Sequence, residues 1–192
     1  MNFKSDTNQK IIYFFVLYIV ITVIYVLSET TALSMFINRF GIKYMPYFFG
    51  LAPLGLIFGM SFYSMIANRM DRLRIFYGLF GLSLVFFIFS VFWGVKISWF
   101  SVLLLFYVEA MALFMPIQFF IILNDIFDVK ESQRAVPLVS TGWFIGTGLA
   151  GTTAQSLAKI IHTNNLLLIV IAFFALGILL VSLIDFKFRD KL

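Results

Sequence analysis

The chain has 192 residues, 62% of them hydrophobic and only 12% charged, with a mean hydropathy of +1.02. Soluble domains carry about 25% charged residues, so this composition excludes a soluble globular domain and points to an integral membrane protein. Cysteine is absent, which excludes disulfides and thiolate metal sites, and the net charge of +5 is spread among loops, as in a membrane-topology signal rather than a nucleic-acid footprint.

The start is short and polar, with Lys4 and Lys10 ahead of a long apolar run. A signal peptide has an apolar core of about 7–15 residues; this run continues past that, so an uncleaved first span is expected. A helix crossing a bilayer takes about 20 apolar residues. Six stretches qualify: 11–36, 44–66, 75–94, 98–123, 136–159 and 166–185. Their apolar runs are continuous rather than alternating, which argues against a β-barrel.

Between the second and third runs lies Ala67-Asn68-Arg69-Met70-Asp71-Arg72-Leu73-Arg74, a charged stretch in apolar surroundings. An arginine at the centre of a membrane helix costs about 2.5–3.5 kcal/mol on insertion scales, so this stretch is a loop at a membrane face. With the amino terminus inside, Lys4, Lys10, Arg69, Arg72, Arg74, Lys130, Arg134, Lys187, Arg189 and Lys191 share one side, and Arg39, Lys43, Lys96 and Lys159 the other. That asymmetry predicts a multi-pass protein of the cytoplasmic (inner) membrane with both termini cytoplasmic.

The expected fold is a single all-α domain over residues 1–192, made of six transmembrane helices in two groups of three, about 11–94 and 98–185. The first and fourth spans each carry one acid, the second and fifth are glycine-rich, and the second and fourth loops are densely charged. Three spans being odd, the second group enters from the opposite side, the pattern of an inverted repeat.

Two acids lie within spans. Tyr18, Thr22, Tyr25 and Glu29 recur at steps of four, three and four, on one helix face. Glu29 falls about 10 Å inside the end of its span and Glu109 about 16 Å along the fourth, near the bilayer midplane. Carboxylates at such depths face protein or water rather than lipid. They are either cavity-lining groups that bind a proton or a cation, with Tyr25 and Thr22 beside them, or neutral carboxyls hydrogen-bonded between helices. Pro116, seven residues beyond Glu109, is expected to bend the fourth span.

In the fifth span Gly142, Gly146, Ala150, Ala154 and Ala158 stand four apart, and Gly55 and Gly59 repeat the device in the second. Such stripes let helix backbones approach closely; a further reading is a sliding surface between the second and fifth spans. Thr147, Thr152, Thr153, Gln155 and Ser156 could wet a vestibule. The fourth loop carries Asp125, Asp128, Lys130, Glu131 and Arg134, either as a solvated turn or as a latch in which Asp125 or Asp128 meets Arg72 or Arg74. His162, the single histidine, reads as a surface residue. No phosphate-cradling glycine loop, metal-ligand spacing or nucleophile triad is present, so no cofactor and no enzyme activity are expected.

Asp71-Arg72-x-Arg74 after a second span resembles the loop between helices 2 and 3 of the major facilitator superfamily, Gly-x-x-x-Asp-Arg-x-Gly-Arg-Arg, with Ala67 in place of the first glycine and the inner glycine missing. The segments Arg39-Phe-Gly41-Ile-Lys-Tyr-Met-Pro46-Tyr, Tyr63-Ser-Met-Ile-Ala-Asn-Arg69, Asn124-Asp125-Ile-Phe-Asp128, Arg134-Ala-Val-Pro137-Leu and Asn164-Asn165-Leu-Leu-Leu are similar to those of its ATP/ADP antiporter-like branch. The resemblance spans nearly the whole chain and one half of such a transporter. It implies helices 1 and 4 along a central path and Asp71, Arg72, Arg74, Asp125, Asp128 and Arg134 as a cytoplasmic latch. It also implies a second six-helix half, from a homodimer or a partner chain. Nucleotide carriers place Lys or Arg in the path, whereas no span here has one at its middle. A proton- or cation-coupled carrier of a neutral or cationic solute therefore fits the residues better. The rival expectations are a non-transporting scaffold or anchor subunit, and an inactive half.

Overall fold

The computed structural model describes residues 3–67, 69–158 and 163–188. They form seven α-helices: α1 (Phe3–Phe40), α2 (Met45–Ala67), α3 (Arg72–Phe92), α4 (Phe100–Ile126), α5 (Val129–Ser140), α6 (Gly142–Ala158) and α7 (Thr163–Phe188). Short 3-10 turns at Ile42–Tyr44 and Gly94–Lys96 precede α2 and α4. Five of the described helices, α1, α2, α3, α4 and α7, are long and apolar enough to cross a bilayer, the helix set of a multi-pass membrane protein. Lys159 and His162 lie outside the described residues.

The expected fifth span, 136–159, is divided. Pro137 sits inside α5 and has no N–H to give. The Thr141 amide is shared between the carbonyls of Pro137 and Leu138, and its hydroxyl donates to Leu138 O at 2.7 Å. This tightens the turn while φ −64° and ψ −20° keep Thr141 in the right-handed helical region. The backbone passes through the break without reversing, and α6 alone has 17 residues.

α1 is the central post. It packs against α4, α5, α6 and α7, and its middle is buried on nearly every side, from Leu17 through Ile24 and Leu27 to Ala32 and Met35. The buried hydroxyls along it close on the preceding turn: Thr22 to Tyr18 O at 2.8 Å, Ser28 to Ile24 O at 2.6 Å and Thr31 to Leu27 O at 2.7 Å. They therefore need no partner from another helix. On one side Tyr18 stacks on Phe119 of α4, centroids 4.8 Å apart. On the other, α3 and α7 meet through Phe87 and Phe174, centroids 5.3 Å apart.

The small-residue stripe of α6 packs on α1. A β-carbon on Gly146 would lie 2.7 Å from Thr22 Cβ and 3.0 Å from the Ile19 carbonyl oxygen, and one on Gly142 would lie 3.3 Å from the Phe15 carbonyl oxygen. Ala150 is fully buried. The glycines of α2 meet α4 instead: a β-carbon on Gly55 would sit 2.6 Å from the Phe106 ring, and one on Gly59 3.4 Å from that of Phe114. Both stripes thus lie against a neighbouring helix. The expected sliding surface between the second and fifth spans is corrected, because the two stripes serve different neighbours. α2 itself stands apart: 12% of its most apolar stretch is buried, against 56% in α1.

Substituting Gly146 by leucine forces α6 away from α1 at a backbone contact. The expected loss is about 1–3 kcal/mol, read as a lower melting midpoint in detergent. Gly148→Ala, which adds a methyl group to open space inside the same helix, leaves the midpoint unchanged or slightly raised.

Candidate functional site

The helix arrangement sorts charge between the two ends of the bundle. At one end the start of α1, the ends of α4 and α7 and the starts of α3 and α5 converge. Lys10 pairs with Glu131 at 3.4 Å, and Thr7 also donates to Glu131. Arg72 pairs with Asp125, and Arg74 with Asp71 at 2.9 Å. Lys187 reaches Gln9 at 3.0 Å and sits 4.7 Å from the centroid of the Tyr13 ring. At the other end Arg39 donates to the carbonyls of Ile97 and Ser98, and Lys43 and Lys96 are exposed.

Of the latch candidates, the structure joins Arg72 with Asp125 and Arg74 with Asp71. Asp128 does not meet an arginine. It caps α5, accepting from the Glu131 amide while the Glu131 side chain accepts from the Asp128 amide. Arg134 is exposed and lines a cleft with Thr7, Asn8 and Lys130.

Sequence reasoning passed over the most enclosed cation. Lys10 was counted only as a topology signal, yet 2% of its side chain is exposed, and its ammonium lies 5.5 Å from the centroid of the Phe127 ring. The signal that could have found its partner was Asp128 followed three residues later by Glu131, a capping-box spacing that fixes where that carboxylate points. Gln118 was also missed. It is buried, accepts from the Tyr63 hydroxyl of α2 and donates to the Arg72 carbonyl at 2.6 Å. A single amide inside an apolar run, two residues after Pro116, was its mark in the sequence.

The second cluster lies between α1, α4 and α6. Glu29 on α1, Glu109 on α4 and Tyr25 on α1 share one electrostatic neighbourhood. Both carboxylates are partly buried. Trp143 of α6 stacks on Tyr25, centroids 5.7 Å apart, and also borders Tyr18. Three of the four transport-path candidates, Glu29, Glu109 and Tyr25, thus share one locality. Thr22 is different: it is fully buried, its hydroxyl is closed on Tyr18 O and its side chain meets Gly146. It belongs to the α1–α6 seam and lines no open path. Thr22 shares the face of Glu29 by spacing, but two turns away along α1 that face lies under the closest approach of α6. No group of three or more metal-ligating side chains occurs among the described residues.

Comparison of the chain with protein-family models, curated proteins and solved structures finds no match.

Glu131 carries the pH dependence of the charged end. The Thr7 hydroxyl holds its carboxyl below the ordinary range, against the opposing pull of partial burial, and the Asp128 amide and Lys10 add to the lowering. A lowered folded pKa means that the contribution is fully present above the ordinary value of about 4.5 and is lost as pH falls through the folded value. The melting midpoints of the wild type and Glu131→Gln are therefore expected to differ by a constant amount above about pH 5.5 and to converge only as pH falls through the lowered folded value. A difference that stays constant over the whole range would remove Glu131 from this role.

Proposed function

We propose that the chain is one half of a major-facilitator-type secondary carrier, completed by a second copy or a companion six-helix chain. It moves a neutral or cationic solute in step with protons bound at Glu29 and Glu109. The observation that carries this reading is that α1 and α4 pack together and each carries one partly buried carboxylate, Glu29 and Glu109, within range of the other's charge. Carboxylates in close quarters away from bulk water cannot both ionise cheaply, and a proton shared there can be exchanged as the surroundings change.

The packing pattern supports the architecture. If α5 and α6 count as one span through Thr141, exchanging α1 with α4, α2 with α6 and α3 with α7 maps the principal helix contacts onto one another. The α1–α6 seam corresponds to α2–α4, and α1–α7 to α3–α4, while α1–α4 and α3–α7 map onto themselves. Two three-helix repeats would give such a scheme, which supports the reading, although the α1–α6 seam is much closer than its α2–α4 counterpart. The sequence resemblance to the ATP/ADP antiporter-like branch supplies a nucleotide as a possible cargo class, but the acidic pair and the lack of a mid-span cation favour a neutral or cationic one. In this reading the ion pairs Arg72–Asp125 and Lys10–Glu131 are contacts of one state of a rocking bundle. Both termini lie on the cytoplasmic side of the inner membrane, where the arginine-rich loop belongs.

Purification in mild detergent followed by mass measurement is expected to return a dimer or a complex with a second membrane chain. Reconstituted in vesicles holding a pH-sensitive dye and challenged with neutral and cationic solutes, the complex is expected to move protons with at least one of them. Glu29→Gln and Glu109→Gln are each expected to reduce that movement at least tenfold while leaving the complex mass unchanged. Solute-driven flux that is indifferent to both substitutions would refute coupling at this pair. A stable complex without flux would favour the scaffold reading.

A further inference from the structure

A groove of about 750 Å³ opens between the end of α1, the start of α2 and the start of α4, at the bundle end opposite the termini. Its walls are apolar and aromatic, among them Phe40, Tyr44, Tyr47, Leu51, Trp99 and Leu103. Its volume is in the range of ligand pockets, about 300–1,000 Å³. Tyrosine and tryptophan favour the level where lipid head groups meet acyl chains, an apolar ring body below and a polar tip above. Three of the side chains named here are of that kind.

The rim is basic. Lys43 is exposed, next in sequence to the lining residue Tyr44, and its ammonium lies 5.5 Å from that ring's centroid. Arg39 and Lys96 belong to the same end, and Arg39 is turned onto the carbonyls of Ile97 and Ser98, beside Trp99. Nothing acidic opposes them nearby in the chain: no Asp or Glu occurs between Glu29 and Asp71 or between Asp71 and Glu109. Glu131, Asp125 and Asp71 are gathered instead at the far end, where they pair with Lys10, Arg72 and Arg74.

We propose that this groove is a binding site for an anionic phospholipid, whose acyl chain lies along the aromatic wall and whose phosphate sits at Lys43. Two features of the groove select this occupant over others. An acyl chain satisfies a wall with almost no polar surface, and a phosphodiester neutralises a cation that the protein leaves without a carboxylate. A soluble anion would meet only the rim, and a second copy would bring its own Arg39, Lys43 and Lys96 against the same positive end. The site is independent of the transport reading, since it lies at the bundle end away from the ion pairs and uses neither Glu29 nor Glu109.

The test is native mass spectrometry of the purified protein titrated with phosphatidylglycerol or phosphatidylcholine of identical acyl chains. Phosphatidylglycerol is expected to bind more tightly. One lysine near a lipid surface accounts for about a fivefold change in affinity, so Lys43→Gln should weaken phosphatidylglycerol by about that factor and leave phosphatidylcholine unchanged, while Lys43→Arg restores the preference. Leu103→Trp, which narrows the groove from an exposed position, should weaken both lipids. Glycerol 1-phosphate at millimolar concentration should displace neither. Unchanged melting midpoints separate lost binding from lost fold; if Leu103→Trp does not fold, the Lys43 pair decides alone. Equal affinity for the two lipids, or indifference to Lys43→Gln, overturns the proposal. Displacement by glycerol phosphate makes this a free-anion site instead. A substitution that changes the dimer fraction rather than the lipid count hands the groove to a second copy.

Discussion

Gly146 lets α6 approach α1 until the Thr22 side chain and the Ile19 carbonyl occupy the space where a β-carbon would stand. Between helices in lipid the hydrophobic effect offers no drive, so close van der Waals contact and a few hydrogen bonds must hold the bundle. Gly142, Gly146 and Ala150 provide that contact along three successive turns. The seam orients α1, and α1 orients the rest. With one face given to α6, its remaining faces receive α4 and α7, and the strip carrying Tyr18 and Tyr25 comes to lie along the edge of Trp143. α4 takes another face of α1, and Glu29 and Glu109 fall in one electrostatic neighbourhood there.

Charge then follows topology. A carboxylate and a guanidinium are cheapest where water and a partner are both in reach, and the end where α1, α3, α4 and α5 converge offers both. Arg72–Asp125 and Arg74–Asp71 are substantially exposed pairs, and such pairs contribute only about 0–1 kcal/mol each. Lys10 is another case. Its side chain is almost wholly enclosed, with the Glu131 carboxylate and the Phe127 ring among its neighbours. The enclosed pair ties α1 to α5, and the exposed pair ties α3 to α4. Their unequal burial makes the α1–α5 tie the more costly of the two to break.

Much of this architecture was legible in the chain. Apolar run length located α1, α2, α3, α4 and α7, because a bilayer demands length and hydrophobicity and little else. The fifth run was harder. Hydropathy carries no trace of a missing amide at Pro137 or of the Thr141 hydroxyl closing on Leu138, and those two details divide α5 from α6. Small residues four apart announced close packing, but a stripe on one helix says nothing of its partner; the ring positions on α4 that meet Gly55 and Gly59 could be known only from coordinates. Periodicity placed Thr22 on the same face as Tyr25 and Glu29, correctly as geometry. It could not say that this face is shared between an aromatic edge and the α6 seam, which is where Thr22 ends. Lys10 was hidden for a related reason: a cation near a terminus looks solvated until a capping carboxylate three residues into another helix is folded back upon it.

The position of α2 follows from how little holds it. Its apolar contacts are few, among them two glycines against the rings of Phe106 and Phe114, Phe48 beside Phe36 and Tyr63 stacked on Phe114, and to these the Tyr63 hydroxyl adds a hydrogen bond, giving its proton to Gln118. Gln118 is buried, so both ends of its amide must be satisfied, and its other end is satisfied by the carbonyl of Arg72. The same Arg72 uses its side chain on Asp125, seven residues beyond Gln118 on α4. One arginine therefore anchors the start of α3 to α4 twice, once through its backbone and once through its guanidinium, and the first of these contacts also fixes the amide that receives α2. A shift of α3 that parts Arg72 from Asp125 must either carry the Arg72 carbonyl away from Gln118 or strain that bond. An unsatisfied buried amide costs about 1–3 kcal/mol. The exposed ion pair and the buried hydrogen bond are thus mechanically linked through one residue, and the helix with the fewest contacts is held by the link.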